Sequence, residues 1–198
     1  MLKDLEYVVF DLETTGLKAS EGDSIIEIGA VKIKKGTIID KFDIFIKPLQ
    51  SISEEITNIT GITNDMVKNA VDEETGVKEF MKWVGDLPMV AHNARFDLSF
   101  MEMAYLKYDL GRFNHTVIDT LALSRYLDSH ERYHNLACLV IRYNINWDED
   151  KHHRADYDSE GTALIFDKMI DRLTQNSIDT LDKLSRYRAI VIRKRVDK

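Results

Sequence analysis

Cysteine is nearly absent. Cys138 stands alone among 198 residues, so no internal disulfide staples the fold, and its apolar setting (LACLVI) reads as a buried structural thiol. Proline is scarce as well, with two residues; alongside 44% hydrophobic and 31% charged residues, this composition excludes disorder over most of the length. Long apolar runs are missing. None approaches the ~18 residues needed to cross a bilayer, and MLKDLEYVVFD has no basic region followed by an apolar core, so neither a membrane span nor a secretory leader is expected. A cytoplasmic location with no membrane partner follows, and the sequons at Asn58 and Asn114 read as chance matches. Positive charge is in deficit, 27 basic residues against 34 acidic for a net −7, which argues against a chain whose main task is to cling to duplex nucleic acid by counterion release. A metal-holding carboxylate cluster tolerates that balance, at the expense of needing a partner for firm substrate binding. Finally, no G-x-x-x-x-G-K-[ST] occurs, which excludes a P-loop nucleotidase.

What is present fits one compact domain. Residues 7–10 (YVVF) form a short continuous apolar run, as expected of a central strand covered on both faces, and this strand is read as ending where DLETTG begins. Two β-branched stretches, 24–34 and 37–47, flank Lys35-Gly36, a hairpin signal; together the three predict an antiparallel meander. Beyond Pro48 the pattern turns to helical pieces broken by Gly61 and Gly76, a short strand (PMVAH), and a helix over 94–108 with Phe96, Phe100, Met103 and Ala104 on its apolar face. A strand (TVID) precedes a helix that Asp119 caps, then helices over 135–143 and from Arg154 onward, the last lined by Gly161, Leu164, Ile165, Met169 and Leu173. The result is an α/β class with a mixed sheet and flanking helices. After Asn176 the character changes: six basic residues against one acid between Leu184 and Lys198 mark residues 177–198 as a basic C-terminal extension or connector to a domain spanning 1–176. That extension reads as a solvated tail, a strand docking outside the chain, or a phosphate-attracting arm.

Three blocks carry chemistry. In DLETTG, strand periodicity sets Asp11 and Glu13 on one face, where two acids leaving a hydrophobic strand repel unless a cation lies between them; an oxygen-preferring divalent ion suits. In AHNARFD, a short strand delivers His92 and Asn93, and Asp97 falls in the first turn of the following helix, favoured there by the helix dipole. Phe96 and Phe100 turn that helix toward the sheet and draw Asp97 to the edge that holds Asp11. In HHRADYD, His153 precedes Asp158 by five positions at the opening of the last helix, a spacing that suits a base acting on a water molecule; His152 lacks it, because Tyr157 stands five positions on.

These blocks, in this order, resemble the DEDDh 3′→5′ exonucleases, the superfamily of the epsilon proofreading subunit of bacterial DNA polymerase III. The resemblance covers roughly residues 5–173. It implies a ribonuclease H-like fold, with Asp11, Glu13, Asp97 and Asp158 holding two Mg²⁺ or Mn²⁺ ions and His153 as general base. LKDLEYVVFDLETTGL, ITGITNDMV, VAHNARFD, VIDTLAL and HHRADYDSEGTA are similar in particular to the exonuclease domain built into PolC-type replicative polymerases. By the same resemblance Thr14, Thr15, Gly16, His92, Asn93 and Phe96, with Glu55 and Thr60 beside ITGIT, line a terminal-nucleotide pocket. The implied substrate is a single-stranded or frayed DNA 3′ end, and the implied partners are other domains or subunits of a replicative polymerase, the isolated chain being a monomer.

Other readings compete. His130-Glu131-Arg132-Tyr133-His134 matches H-E-x-x-H, the zinc-metalloprotease pattern, but it follows Asp128-Ser129 and reads as a polar loop, with alanine at position 137 where the longer pattern wants glycine. Asp119 and the acids at 148–150 read as a helix cap and a solvated loop, and Trp83 and Trp147 as packing residues. An RNA trimmer or general single-strand nuclease stays open, as does a non-catalytic tethering module, although the latter has no use for four acids held together.

Overall fold

In the computed structural model, residues 1–146 and 154–192 are described. Three strands open the fold, β1 (Glu6–Thr14), β2 (Ile25–Lys34) and β3 (Thr37–Phe45), paired as the antiparallel meander expected. The β2–β3 turn places both Lys35 (φ 51) and Gly36 (φ 72) in the left-handed region, the twist a two-residue hairpin needs. One boundary differs from the sequence reading: β1 does not stop at Phe10 but carries Asp11, Leu12 and Glu13 inside the strand, because β2 continues to pair with it as far as Thr14.

Three helices follow, α1 (Glu54–Thr60), α2 (Asn64–Val67) and α3 (Glu73–Val84), capped by the side chains of Ser53, Thr63 and Asp72. Strand and helix then alternate: β4 (Met89–Ala91), α4 (Ala94–Lys107), β5 (Val117–Asp119), α5 (Thr120–Leu127), α6 (Leu136–Arg142) and α7 (Ala155–Gln175). The chain continues through α8 (Leu181–Leu184) to β6 (Val191–Ile192). The sheet order is β3-β2-β1-β4-β5-β6, with β1, β4 and β5 parallel and the outer pairs antiparallel. Among the described residues, no helix is long and apolar enough to cross a membrane.

The alternation along β1 divides the core into two layers. Tyr7 and Val9, with Val31 and Ile33, pack on Ile165, Phe166 and Met169 of α7, where Tyr7 and Phe166 meet edge to face at 5.0 Å. Val8, Phe10 and Leu12, with Ile28 and Ala30, pack on Val77 and Phe80 of α3 and on Leu98, Phe100 and Met101 of α4. The apolar run of β1 is thus covered on both faces, and the two helix layers converge on its carboxyl end. Trp83, half-buried, packs against Phe42 and Phe80, as expected of a packing residue.

Past Asn176, Ile178, Leu184, Ile190 and Val191 are buried, and β6 pairs with β5 through Val117↔Ile192 and Ile118↔Val191. The apolar residues interleaved with the arginines there cover an edge of this chain's own sheet that would otherwise expose unpaired backbone. Cys138, expected to be buried, is half-buried on the short helix α6.

Candidate active site

β4 pairs with β1 only at Val8 and Val9, so β1 runs on past the carboxyl end of its parallel neighbour. Asp11 and Glu13 lie in that overhang, the place where open α/β sheets usually hold their ligands. Being two apart they share a face, and it is the face covered by α7. Asp158, buried in the first turn of α7, joins them: one carboxylate oxygen from each of Asp11, Glu13 and Asp158 lies within 4.8 Å of the others. Asp97 arrives from the opposite layer, in the first turn of α4. It is 1% exposed, and neither carboxylate oxygen has a hydrogen-bond partner among the described residues, although the backbone N–H groups of Asp97 itself and Leu12 lean toward it.

Burial pushes Asp11 and Asp97 well above the usual carboxylate range, and the negative charges of Asp97, Glu13 and Asp158 push Asp11 further. Glu13 is raised to about 9, first by burial and then by Asp158 and Glu27. An unpartnered buried carboxylate beside three other acids is costly for a protein on its own. It fits a site for a hard divalent cation, whose charge and oxygen preference would satisfy all four groups together. Of the five expected catalytic residues the structure gathers Asp11, Glu13 and Asp158, with Asp97 buried within electrostatic reach of Asp11 and Glu13; His153 lies outside the described residues, as do Trp147 and the acids at 148–150.

The expected pocket residues divide. Thr14 donates to the Gly16 carbonyl, and Thr15 accepts from the Ser24 amide, so the turn after β1 is held from within. A methyl at Gly16 would meet the Asp23 carboxylate at 2.4 Å. His92 Nδ1 pairs with Thr120 Oγ1 at 3.0 Å, and burial lowers the imidazole to about 4, so His92 is neutral near pH 7. Asn93 takes a left-handed conformation (φ 64), its N–H donating to Asp119 Oδ1, and Phe96 is half-buried with its ring 5.1 Å from Phe100. Thr60, buried at the end of α1, spends its hydroxyl on Ile56 and Ile62, while Glu55 is exposed on the same helix; among the described residues neither hydrogen-bonds to the carboxylates. Asp119 caps α5 through Leu121 and Ala122, as expected.

His130 to His134 lie in a loop. His130 is largely exposed, and His134 pairs with Ser124 Oγ and the Glu131 carbonyl, so no helix presents the two histidines together. Sequence reasoning missed Glu27 and Arg154. Glu27 is fully buried in β2 and bound to Arg154 at the start of α7. A lone acid within the apolar run IIEIGAV was the available signal.

A family model described as "Exonuclease" (RNase_T) matches residues 8–166. The PolC-type DNA polymerase III of Staphylococcus haemolyticus is 45% identical over 188 residues, which make up 93% of this chain but only 13% of that protein. Among solved structures, Exonuclease X in complex with 5′ overhanging duplex DNA superimposes with a TM-score of 0.70 at 24% identity, over 89% of this chain and 98% of that one. The nuclease domain of 3′hExo, a DEDDh family member bound to rAMP, does so with a TM-score of 0.70 at 18% identity, over 88% and 94%. The shared fold is the ribonuclease H-like mixed sheet with flanking helices. Since the family match runs from β1 into α7 and takes in Asp11, Glu13, Asp97 and Asp158, the chain belongs to the exonuclease family.

Proposed function

We propose that this chain is a 3′→5′ exonuclease that releases nucleoside 5′-monophosphates from DNA 3′ ends, and that it proofreads as part of a PolC-type DNA polymerase III. The observation that carries this reading is the cluster of Asp11, Glu13 and Asp158 with the buried, unpartnered Asp97 beside it. Asp11, Glu13, Asp97 and Asp158 would hold two Mg²⁺ or Mn²⁺ ions. Such ions polarise a phosphodiester and ease the ionisation of water. His153 takes the proton of the attacking water as general base. Thr14, Thr15, Gly16, Asn93 and Phe96 orient the terminal nucleotide, with the neutral His92 offering hydrogen bonds and no charge. Glu55 and Thr60 complete the proposed pocket more remotely.

Buried acids at the carboxyl end of a central strand admit a single strand more readily than a paired one, so the substrate is a single-stranded or frayed end, and mispaired termini fray more readily. The acidic balance of the chain leaves firm grip on DNA to neighbouring domains or subunits of the polymerase, in the cytoplasm; the isolated chain is a monomer. The exonuclease unit extends at least to Ile192.

Incubation with matched and mispaired primer-templates and with RNA of the same sequence tests the substrate. Faster shortening of the mispaired primer supports proofreading. Faster loss of RNA would keep the exonuclease and discard the proofreader.

A further inference from the structure

The start of α7, which carries Asp158, lies close against β2, and two residues of β2 border that approach. The cross-strand partner of Asp11 is Gly29, and that of Glu13 is Glu27, so all four point to the face that α7 covers. A methyl group on Gly29 would lie 2.1 Å from the Ala155 carbonyl carbon and 2.1 Å from the Asp156 nitrogen, both backbone atoms that have no side-chain freedom to yield. The helix therefore rests directly on the strand backbone opposite Asp11.

Glu27 holds it there. Arg154, the N-cap residue, makes no side-chain cap of its own. Glu27 caps the helix instead, from a strand 128 positions away: its Oε2 accepts from the Ala155 N–H at 3.0 Å, while Oε1 accepts from Arg154 Nε at 3.1 Å and Nη2 at 2.6 Å. A guanidinium fork meets a carboxylate in this way with fixed direction as well as strength. The guanidinium also lies over the Phe45 ring, 5.3 Å from its centroid, and within electrostatic reach of Asp43 and Asp156.

We propose that Gly29, Glu27 and Arg154 form a docking lock that fixes the first turn of α7 on β2, so that Asp158 stands at metal-binding distance from Asp11 and Glu13. Glu27 and Arg154 are positioning residues. The lock rests on the functional reading above, since its purpose is to preorganise that carboxylate site. Groups that orient metal ligands in this way typically govern 10- to 100-fold in affinity or activity.

The test is calorimetric titration of Mn²⁺ into the whole chain, wild type against Glu27→Gln and Arg154→Lys, with circular dichroism confirming that each is folded at the titration temperature. Lys41→Ala serves as the control, because it removes an exposed ion pair to Glu160 on the same helix. The expected result is Mn²⁺ affinity about 10- to 100-fold lower in Glu27→Gln, a smaller loss in Arg154→Lys, which keeps the charge but not the fork, and none in Lys41→Ala. In parallel, kcat on single-stranded DNA falls while KM for DNA holds, and raised Mn²⁺ restores kcat, which it would not do if the variant were merely unable to reach the active fold. Should Glu27→Gln fail to fold, Arg154→Lys decides. Wild-type Mn²⁺ affinity and kcat in the folded variants would overturn the lock alone, whereas a wild-type chain that neither binds Mn²⁺ nor shortens DNA would overturn the functional reading and the lock together.

Discussion

Replacing Glu13 with glutamine removes one ionisable acid from a site where burial and neighbouring acids oppose ionisation, and the consequence for stability follows from linkage. Glu13 titrates at 4.5 in an unperturbed setting and at about 9 in the folded chain. Between those values the folded state binds a proton that the unfolded state has released, so stability falls as pH rises, by about 1.4 kcal/mol per pH unit. The penalty is absent below the lower value and complete above the higher one. From pH 5.5 to 7.5 the metal-free protein therefore loses up to about 3 kcal/mol through Glu13. That figure is an upper bound, because Asp11 and Asp97 are raised by the same burial and share the protons. Urea unfolding in EDTA at the two pH values measures the effect. Wild type should lose about 1–3 kcal/mol more than Glu13→Gln, and the variant should be the more stable protein at pH 7.5. With Mn²⁺ at a hundred times its dissociation constant the gap narrows, since the wild type gains about 2.7 kcal/mol from binding and the variant gains less. Equal pH dependence in the two proteins, or a variant less stable than wild type in EDTA at pH 7.5, would refute the reasoning.

Three further outcomes are expected. Asp119→Ala deprives Leu121, Ala122 and Asn93 of their acceptor, loosening α5 and the turn into α4; it should lower stability by about 1–2 kcal/mol, read as a drop in thermal midpoint of about 2–4 °C per kcal/mol. Phe166→Ala opens a cavity beneath Tyr7 in the α7 layer, where Phe166 is fully buried, and should cost about 3–5 kcal/mol by urea unfolding. Glu131→Gln, in the exposed H-E-x-x-H loop, should leave metal-dependent nuclease activity unchanged; zinc-dependent peptide cleavage abolished by that substitution would revive the protease reading.

Much of this was legible in sequence for identifiable reasons. The β1 run, the Lys35-Gly36 hairpin and the Asp119 cap are set by local physics, by two-sided burial, positive φ and orphan helix N–H groups, and each appears where expected. Spacing alone put Asp11 and Glu13 on one face. Other features depend on partners distant in the chain. The continuation of β1 through Glu13 is fixed by pairing with β2, and the docking of residues 178–192 by the unpaired edge of β5. Glu27 looked like one more strand residue because its partners, Arg154 and the Ala155 amide, stand at the far end of the sequence. The unpartnered state of Asp97 is likewise visible only once two layers meet around it. Local rules thus named the acids, and tertiary contacts decided how they are held.

The most direct measurement follows a 5′-labelled single-stranded oligodeoxynucleotide with the wild-type chain and Asp11→Ala, in Mn²⁺ and in EDTA, while the released nucleotides are identified by mass. The account predicts a ladder that shortens one nucleotide at a time from the 3′ end, nucleoside 5′-monophosphates as products, and loss of both in EDTA and in Asp11→Ala. Immediate release of the label as a mononucleotide, cleavage at internal positions, or undiminished shortening by Asp11→Ala would contradict it.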